Sequence, residues 1–243
     1  MNSSLVVIPT YNEAENLTAI VDAVLEVGDF DVLVVDDNSP DGTGDLADLL
    51  VNEVPNRVAV VHRLCKQGLG PAYRAGFSYA LARGYQYIFE MDADFSHDPR
   101  ALLALRAALD DADVVLGSRY VRGGETKNWP IARRLLSQCG SLYAAWILGL
   151  PFHDLTGGFK GFSARVLQTL DLDGIQSNGY AFQIEVTYRA YQRGFRIMER
   201  PITFVDRRLG HSKMRPAIVA EAVRIVWSLR FGSRPRLLQE VRP

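Results

Sequence analysis

Short apolar, β-branched runs at residues 5–8, 32–35, 57–61, 87–89 and 114–116 alternate with stretches of helical periodicity, and this alternation constrains the fold most. Between the first two runs Leu17, Ile20, Val21, Val24 and Leu25 recur at helical spacing; after the second, Leu46, Leu49 and Leu50 do the same. Pro71 and Pro99 fit the openings of two further helices, residues 71–82 and 99–109, because a first helical turn does not use the N–H that proline lacks. Strands separated by helices give an α/β chain with a mostly parallel sheet flanked by helices.

The second half is less regular. Residues 129–150 read as a helix, 157–163 as containing a short strand, 180–191 as a helix, and 195–205 as one or two strands broken by Pro201. A last helix over 214–229 sets Arg215 and Arg224 among Ile218, Val219, Val223, Ile225, Val226 and Trp227. No linker or repeat divides the 243 residues, so the expected organisation is one domain over 1–205 with a basic C-terminal extension over 206–243. A hydrophobic content of 48% supplies a core without staples.

Charged residues make up 23% of the chain, which excludes wholesale disorder, and a net charge of -1 gives no global pull toward nucleic acid. The total conceals a gradient. Residues 1–118 carry 19 acidic and 7 basic side chains, 119–134 carry 5 basic and 1 acidic, and 200–243 carry 10 basic and 3 acidic. Such a chain would handle a cation early and an anion late. Cys65 and Cys139 have no metal-ligand spacing and are expected as buried thiols in a reducing compartment. The start MNSSLVVIPTYNE lacks a secretion signal, so cytoplasmic residence is expected. Residues 135–153 contain no Asp, Glu, Lys or Arg, yet Ser137, Gln138, Gly140 and Ser141 make the segment too polar to span a bilayer. It reads as a core helix, or as one lying on a membrane surface beside Arg133 and Arg134.

In open parallel sheets ligands bind beyond the carboxyl ends of the strands. The clusters YNE, DDNSPDG and DADFSH each follow an expected strand and should meet in one crevice. Asp92 and Asp94 could share a hard cation, split their proton affinities as an acid/base pair, or simply form an acidic loop. GxGxxG after the first strand, GxxxxGK[ST], GxSxG and HExxH are absent. His62, His97, His153 and His211 are scattered and read as packing or surface hydrogen-bonding residues. Arg119 and Arg122, and then Arg207, Arg208 and Lys213, could grip a phosphate.

The ordered set PTYNE (9–13), DDNSPDGT (36–43), KQGLGPAYRAGF (66–77), MDADFSHDP (91–99), GSRYVRGG (117–124) and DLTGGFKGFS (154–163) resembles the polyprenyl-phosphate (dolichol-phosphate) mannosyltransferases, within the inverting family-2 glycosyltransferases. The resemblance continues to DRRLGHSK at 206–213 and implies the nucleotide-diphospho-sugar glycosyltransferase fold. It implies that Pro9, Tyr11, Glu13, Asp36, Asp37, Lys66, Gly68, Asp92, Ala93 and Asp94 bind the donor. By the same resemblance Asp92, Asp94 and Ser96 would hold Mg or Mn; relatives often carry Gln at the Ser96 position. Arg119, Arg122, Arg133, Arg207 and Lys213 would bind the acceptor, with Asp94, Arg119 and Asp154 closest to the chemistry. The implied reaction is inverting transfer of mannose from GDP-mannose to polyprenyl or dolichyl monophosphate at the cytoplasmic face of a membrane. UDP-glucose as donor, and a noncatalytic nucleotide-sugar-binding role, are the alternatives. The short, anchor-free type within the resemblance works with a separate membrane protein, which is the expected partner here; nucleic acid is not.

Overall fold

The computed structural model describes residues 3–175, 177–206 and 216–232. Its five leading strands are β1 (Ser4–Thr10), β2 (Phe30–Asp36), β3 (Val58–His62), β4 (Tyr87–Glu90) and β5 (Val114–Ser118). They alternate with α1 (Ala14–Val27), α2 (Thr43–Glu53), α3 (Leu69–Ala82) and α4 (Ala101–Ala108), as the periodicity requires. The second half adds β6 (Glu125–Lys127), α5 (Ile131–Leu148), β7 (Lys160–Ser163), α6 (Ala164–Thr169), α7 (Gly179–Gln192), β8 (Ile197–Pro201), β9 (Thr203–Val205) and α8 (Pro216–Phe231).

Seven strands form the main sheet in the order β3-β2-β1-β4-β7-β5-β8, and β6 pairs with β9 in a small parallel ribbon. β7 alone in the main sheet runs antiparallel, wedged between β4 and β5. Alternation along each strand sorts the core into two layers. Val6, Ile8, Val32 and Val34 face α1, α2 and α4, whereas Leu5, Val7, Leu33 and Val35 face α3, α6 and α7. This is why β1 and β2 read as unbroken apolar runs: a central parallel strand is buried on both sides. α3 lies so close to β1 that a Cβ on Gly76 would stand 2.3 Å from Val7 Cγ1. A third cluster joins Ala144, Ala145 and Leu148 of α5 to Leu155, Ile184 of α7 and Val226 of α8.

Both cysteines are free and exposed, correcting the expectation of buried thiols. Cys65 lies in the connection after β3, and Cys139 sits on the outward face of α5, so neither reaches a core. Among the described residues no helix is long and apolar enough to cross a membrane.

Candidate active site

The carboxyl ends of β1, β2 and β3 bring together one group of candidate residues. Asp37 N–H donates to Thr10 O (3.1 Å), and Asn12 N–H to Ser39 Oγ (3.1 Å), so the loops after β1 and β2 are pinned to each other. Lys66 Nζ stands 3.7 Å from the centre of the Tyr11 ring. Asp37 is buried and ion-paired with Arg63, whose Nη2 also donates to Gln67 Oε1 (2.8 Å). Burial raises the proton affinity of Asp37, and the Arg63 charge opposes that rise. Gly68, at φ 104, precedes α3 in a backbone conformation that a Cβ would strain. Asp36 is spent locally: its carboxylate accepts from Thr10 Oγ1 and from Ser39 N–H, each at 3.0 Å. These bonds brace the 36–39 turn. Glu13, likewise, accepts from Asn16 Nδ2 (3.0 Å) at the start of α1.

The loop after β4 carries Asp92, Ala93, Asp94 and Ser96. Asp94 and Ser96 are buried, and Asp94 Oδ1 accepts from Ser96 N–H (3.0 Å). Phe95 between them adopts φ 58, a left-handed conformation costly for a bulky residue and met most often where surrounding structure enforces it at functional sites. Among the described residues no group of three His, Cys, Asp or Glu side chains is arranged to hold a metal. Two carboxylates beside the buried, partnerless Ser96 Oγ nevertheless form an all-oxygen donor set, fitting a hard cation that takes its other ligands from phosphate and water.

Across the sheet end, β5 delivers Arg119 to Asp154. Arg119 Nε and Nη2 bind the two carboxylate oxygens at 2.7 and 2.6 Å, the Arg119 N–H adds a third bond at 3.0 Å, and Nη2 reaches Thr156 Oγ1 at 2.9 Å. The pair is buried, and the guanidinium holds Asp154 below the usual carboxylate range despite desolvation. The guanidinium of Arg119 lies 5.5 Å from the Trp129 ring centre, and that of Arg133 lies 4.2 Å from it. Arg133 faces inward on α5 and pairs with Asp206 (2.8 Å), whereas Arg134 is exposed, so helix phase selects between the two. Arg122 is exposed. Arg207, Arg208, His211 and Lys213 lie outside the described residues.

A family model for glycosyl transferase family 2 matches residues 5–171. The chain belongs to that family. It is 51% identical over 239 residues to the undecaprenyl-phosphate mannosyltransferase of Micrococcus luteus, covering 96% of this chain and 98% of that protein. It is 49% identical over 231 residues to the polyprenol monophosphomannose synthase of Mycolicibacterium smegmatis, covering 93% and 87%. The fold matches glucosyl-3-phosphoglycerate synthase from Mycobacterium tuberculosis, solved with Mn2+, uridine diphosphate and glucosyl-3-phosphoglycerate, at a TM-score of 0.69 and 17% identity, covering 94% and 80% of the two chains.

Several residues around this family-2 site escaped sequence analysis. Glu90 and Lys160 face each other across β4 and β7, both buried, directly before the Asp92 loop. Desolvation pushes Glu90 up to about 8 and Lys160 down to about 8. Lys160 Nζ donates to Gln183 O (2.7 Å) and Thr187 Oγ1 (2.9 Å). Among the described residues neither Glu90 oxygen completes a hydrogen bond, although the Gln183 amide is near enough to oppose part of the rise. A four-residue run such as YIFE carries no sign that its glutamate points inward. Arg63 gave only one weak signal, its place just past a strand end.

Proposed function

We propose that this chain transfers a mannosyl group from GDP-mannose to a polyprenyl monophosphate, with inversion, giving a β-linked lipid phosphomannose and GDP. The carrying observation is the pair of guanidiniums, Arg119 and Arg133, both close to the Trp129 ring, with buried Trp129 Nε1 and Arg133 Nε lacking hydrogen-bond partners among the described residues. Buried donors without acceptors call for an anion. The names borne by relatives at about half identity supply mannose and the lipid phosphate.

In this reading Tyr11, Lys66 and Asp37 cradle the nucleoside, while Asp92, Asp94 and Ser96 would hold Mg or Mn, which would supply charge neutralisation for the departing diphosphate. Arg119 spends Nε and Nη2 on Asp154 and Thr156, which leaves Nη1 for the acceptor phosphate; Arg133 supplies a second contact, and Arg207 and Lys213 are proposed to add others. An acceptor phosphate oxygen attacks the anomeric carbon as the bond to the GDP β-phosphate oxygen breaks on the opposite face. The second ionisation of a phosphate monoester lies near pH 6, so the nucleophile needs no dedicated base. Positioning and electrostatics then carry the rate.

The outer face of α5 and α8 suits a membrane surface. Ile131, Leu135, Leu142 and Trp146 follow one side of α5, Trp227 and Phe231 project from α8, and Trp227 Nε1 donates to Tyr143 OH (2.6 Å), joining the two helices. Arg134 is exposed at the start of α5 and the helix has no acidic residue, so an anionic bilayer suits this outer side and a cytoplasmic, peripheral enzyme fits the lipid acceptor. A separate membrane protein is the further partner proposed.

The test supplies GDP-mannose, UDP-glucose and UDP-N-acetylglucosamine separately, each with polyprenyl phosphate, vesicles and Mg2+ or Mn2+. Mannosyl lipid that disappears with chelator is expected; glucosyl lipid would replace the donor, and donor binding without product would favour a noncatalytic role.

A further inference from the structure

His97 is 1% exposed, and neither ring nitrogen has a hydrogen-bond partner among the described residues. Its ring stacks on Phe159 (centres 4.8 Å apart) and meets Phe204 at a steep angle (5.1 Å). Phe204 in turn packs edge-on against Trp129 (5.1 Å), and the Arg119 guanidinium sits 5.4 Å from the Phe204 ring centre. The backbone repeats this connection: His97 bridges Phe204, and Val205 N–H donates to Ser96 O (3.0 Å). A continuous packed path thus runs from the Asp94–Ser96 loop through His97 and Phe204 to the ring that Arg119 and Arg133 flank.

Stacking alone would be served by phenylalanine, which would spare the cost of burying two polar atoms unpaired. A histidine here is a polar group awaiting a partner. The charges felt by its ring are Asp94 on the donor side and Arg119 with Asp154 on the acceptor side. Spatial continuity is not coupling by itself; coupling requires an element with two arrangements whose balance both sites bias. The two arrangements required here would be the ring nitrogens unpaired, as they stand, and one of them paired after a small shift of the loop on ligand arrival.

We infer that His97 is a positioning residue that couples the two halves of the site, so that nucleotide and cation seated at the Asp94 loop set Arg119 and Arg133 for the acceptor phosphate. The inference rests on the transfer reaction proposed above and adds an order to it: donor occupancy strengthens acceptor binding. It is tested with farnesyl phosphate as a soluble acceptor probe, titrated into the full chain with and without saturating GDP and Mg2+. Wild type is expected to bind farnesyl phosphate about tenfold more tightly with the nucleotide present, within the usual range of coupling between sites. His97→Phe keeps the ring and removes the nitrogens. It is expected to melt no lower than wild type and to bind GDP within about twofold, while the enhancement falls to near one. His97→Gln, which restores a donor, is expected to recover part of the enhancement. An enhancement of one in wild type, or an undiminished one in His97→Phe, would overturn the coupling. So would a His97→Phe protein that loses melting temperature and both affinities together, which marks a merely structural ring. If UDP binds in place of GDP, the donor assignment fails and the same ratio measured with UDP still decides the role of His97.

Discussion

Arg119–Asp154, a buried ion pair, and Glu90–Lys160, buried neighbours across β4 and β7 that do not close into one, are built to opposite specifications. Arg119–Asp154 is saturated: three hydrogen bonds link the residues, and Thr156 takes another guanidinium N–H. Glu90–Lys160 is only half satisfied, with a lysine that finds two acceptors on α7 and a carboxyl group that finds no hydrogen-bond donor among the described residues. The proton affinities follow the bonding. Asp154 is held ionised, whereas Glu90 keeps a proton up to about 8. Burial alone therefore does not fix charge; the neighbouring cation and then the hydrogen bonds that reach each carboxylate decide how far burial is opposed.

The largest break in this contrast comes from Asp154→Ala, which strands a buried guanidinium. It is expected to cost about 3–5 kcal/mol in urea denaturation. Asp154→Asn tests the charge: because the folded-state affinity of Asp154 is depressed, its contribution is present above the ordinary carboxylate value of 3.8 and is lost as pH falls below it. The stability gap between wild type and Asp154→Asn should be flat from about pH 5 to 8 and should close in acid. Replacing both partners, as Arg119→Met with Asp154→Leu, should recover much of that stability, since apolar isosteres often substitute for a buried pair. Turnover with polyprenyl phosphate should still fall by about 100-fold or more, the size expected when a preorganised electrostatic contact is removed. Recovery of both would reduce the pair to a fold element.

Glu90→Gln sharpens the other side. The folded-state affinity of Glu90 is raised from 4.5 to about 8, so over that interval the unfolded chain has released a proton that the folded chain retains. Wild-type stability then falls with rising pH up to about 8, and glutamine, which does not titrate, escapes the loss. The variant should melt like wild type near pH 5 and several degrees above it near pH 8; a constant difference would contradict the raised affinity. The smallest effect is expected from Thr156→Val, which removes one neutral partner of Arg119 and should cost about 1 kcal/mol without pH dependence.

The sequence exposes most of what makes the sheet and less of what makes the site. β1 to β5 and their helices are legible because buried parallel strands are continuous apolar runs and their covering helices keep a 3.6-residue stripe. β6 is not, since Glu125, Thr126 and Lys127 offer no apolar residue, and α6 is too short to show a period. Asp92, Asp94 and Arg119 stand out in the sequence as polar residues just past expected strands, and Asp154 only through the DLTGGFKGFS motif. Asp36 also braces a turn, which its motif does not reveal, because Thr10 and Ser39 both donate to its carboxylate. Glu90, Lys160 and His97 owe their character to neighbours far along the chain, which local pattern does not encode. Arg133 and Arg134 are adjacent in sequence, and only the phase of α5 against the ribbon separates them.

The inverted strand β7 has a consequence for assembly. β3, β2, β1 and β4 can pair once the chain reaches Glu90, but the next place in the sheet belongs to residues 160–163, and β5 can join only through them. During synthesis the β4 edge, with Glu90 at its end, therefore stays open while α4, β5 and α5 emerge. Non-local pairing of this kind is slow to form, and an open edge invites pairing with other chains. Polar groups destined for the interior, Glu90 and later Lys160, remain hydrated until that strand inserts, so a nascent edge that ends in a carboxylate is a less attractive template than an apolar one.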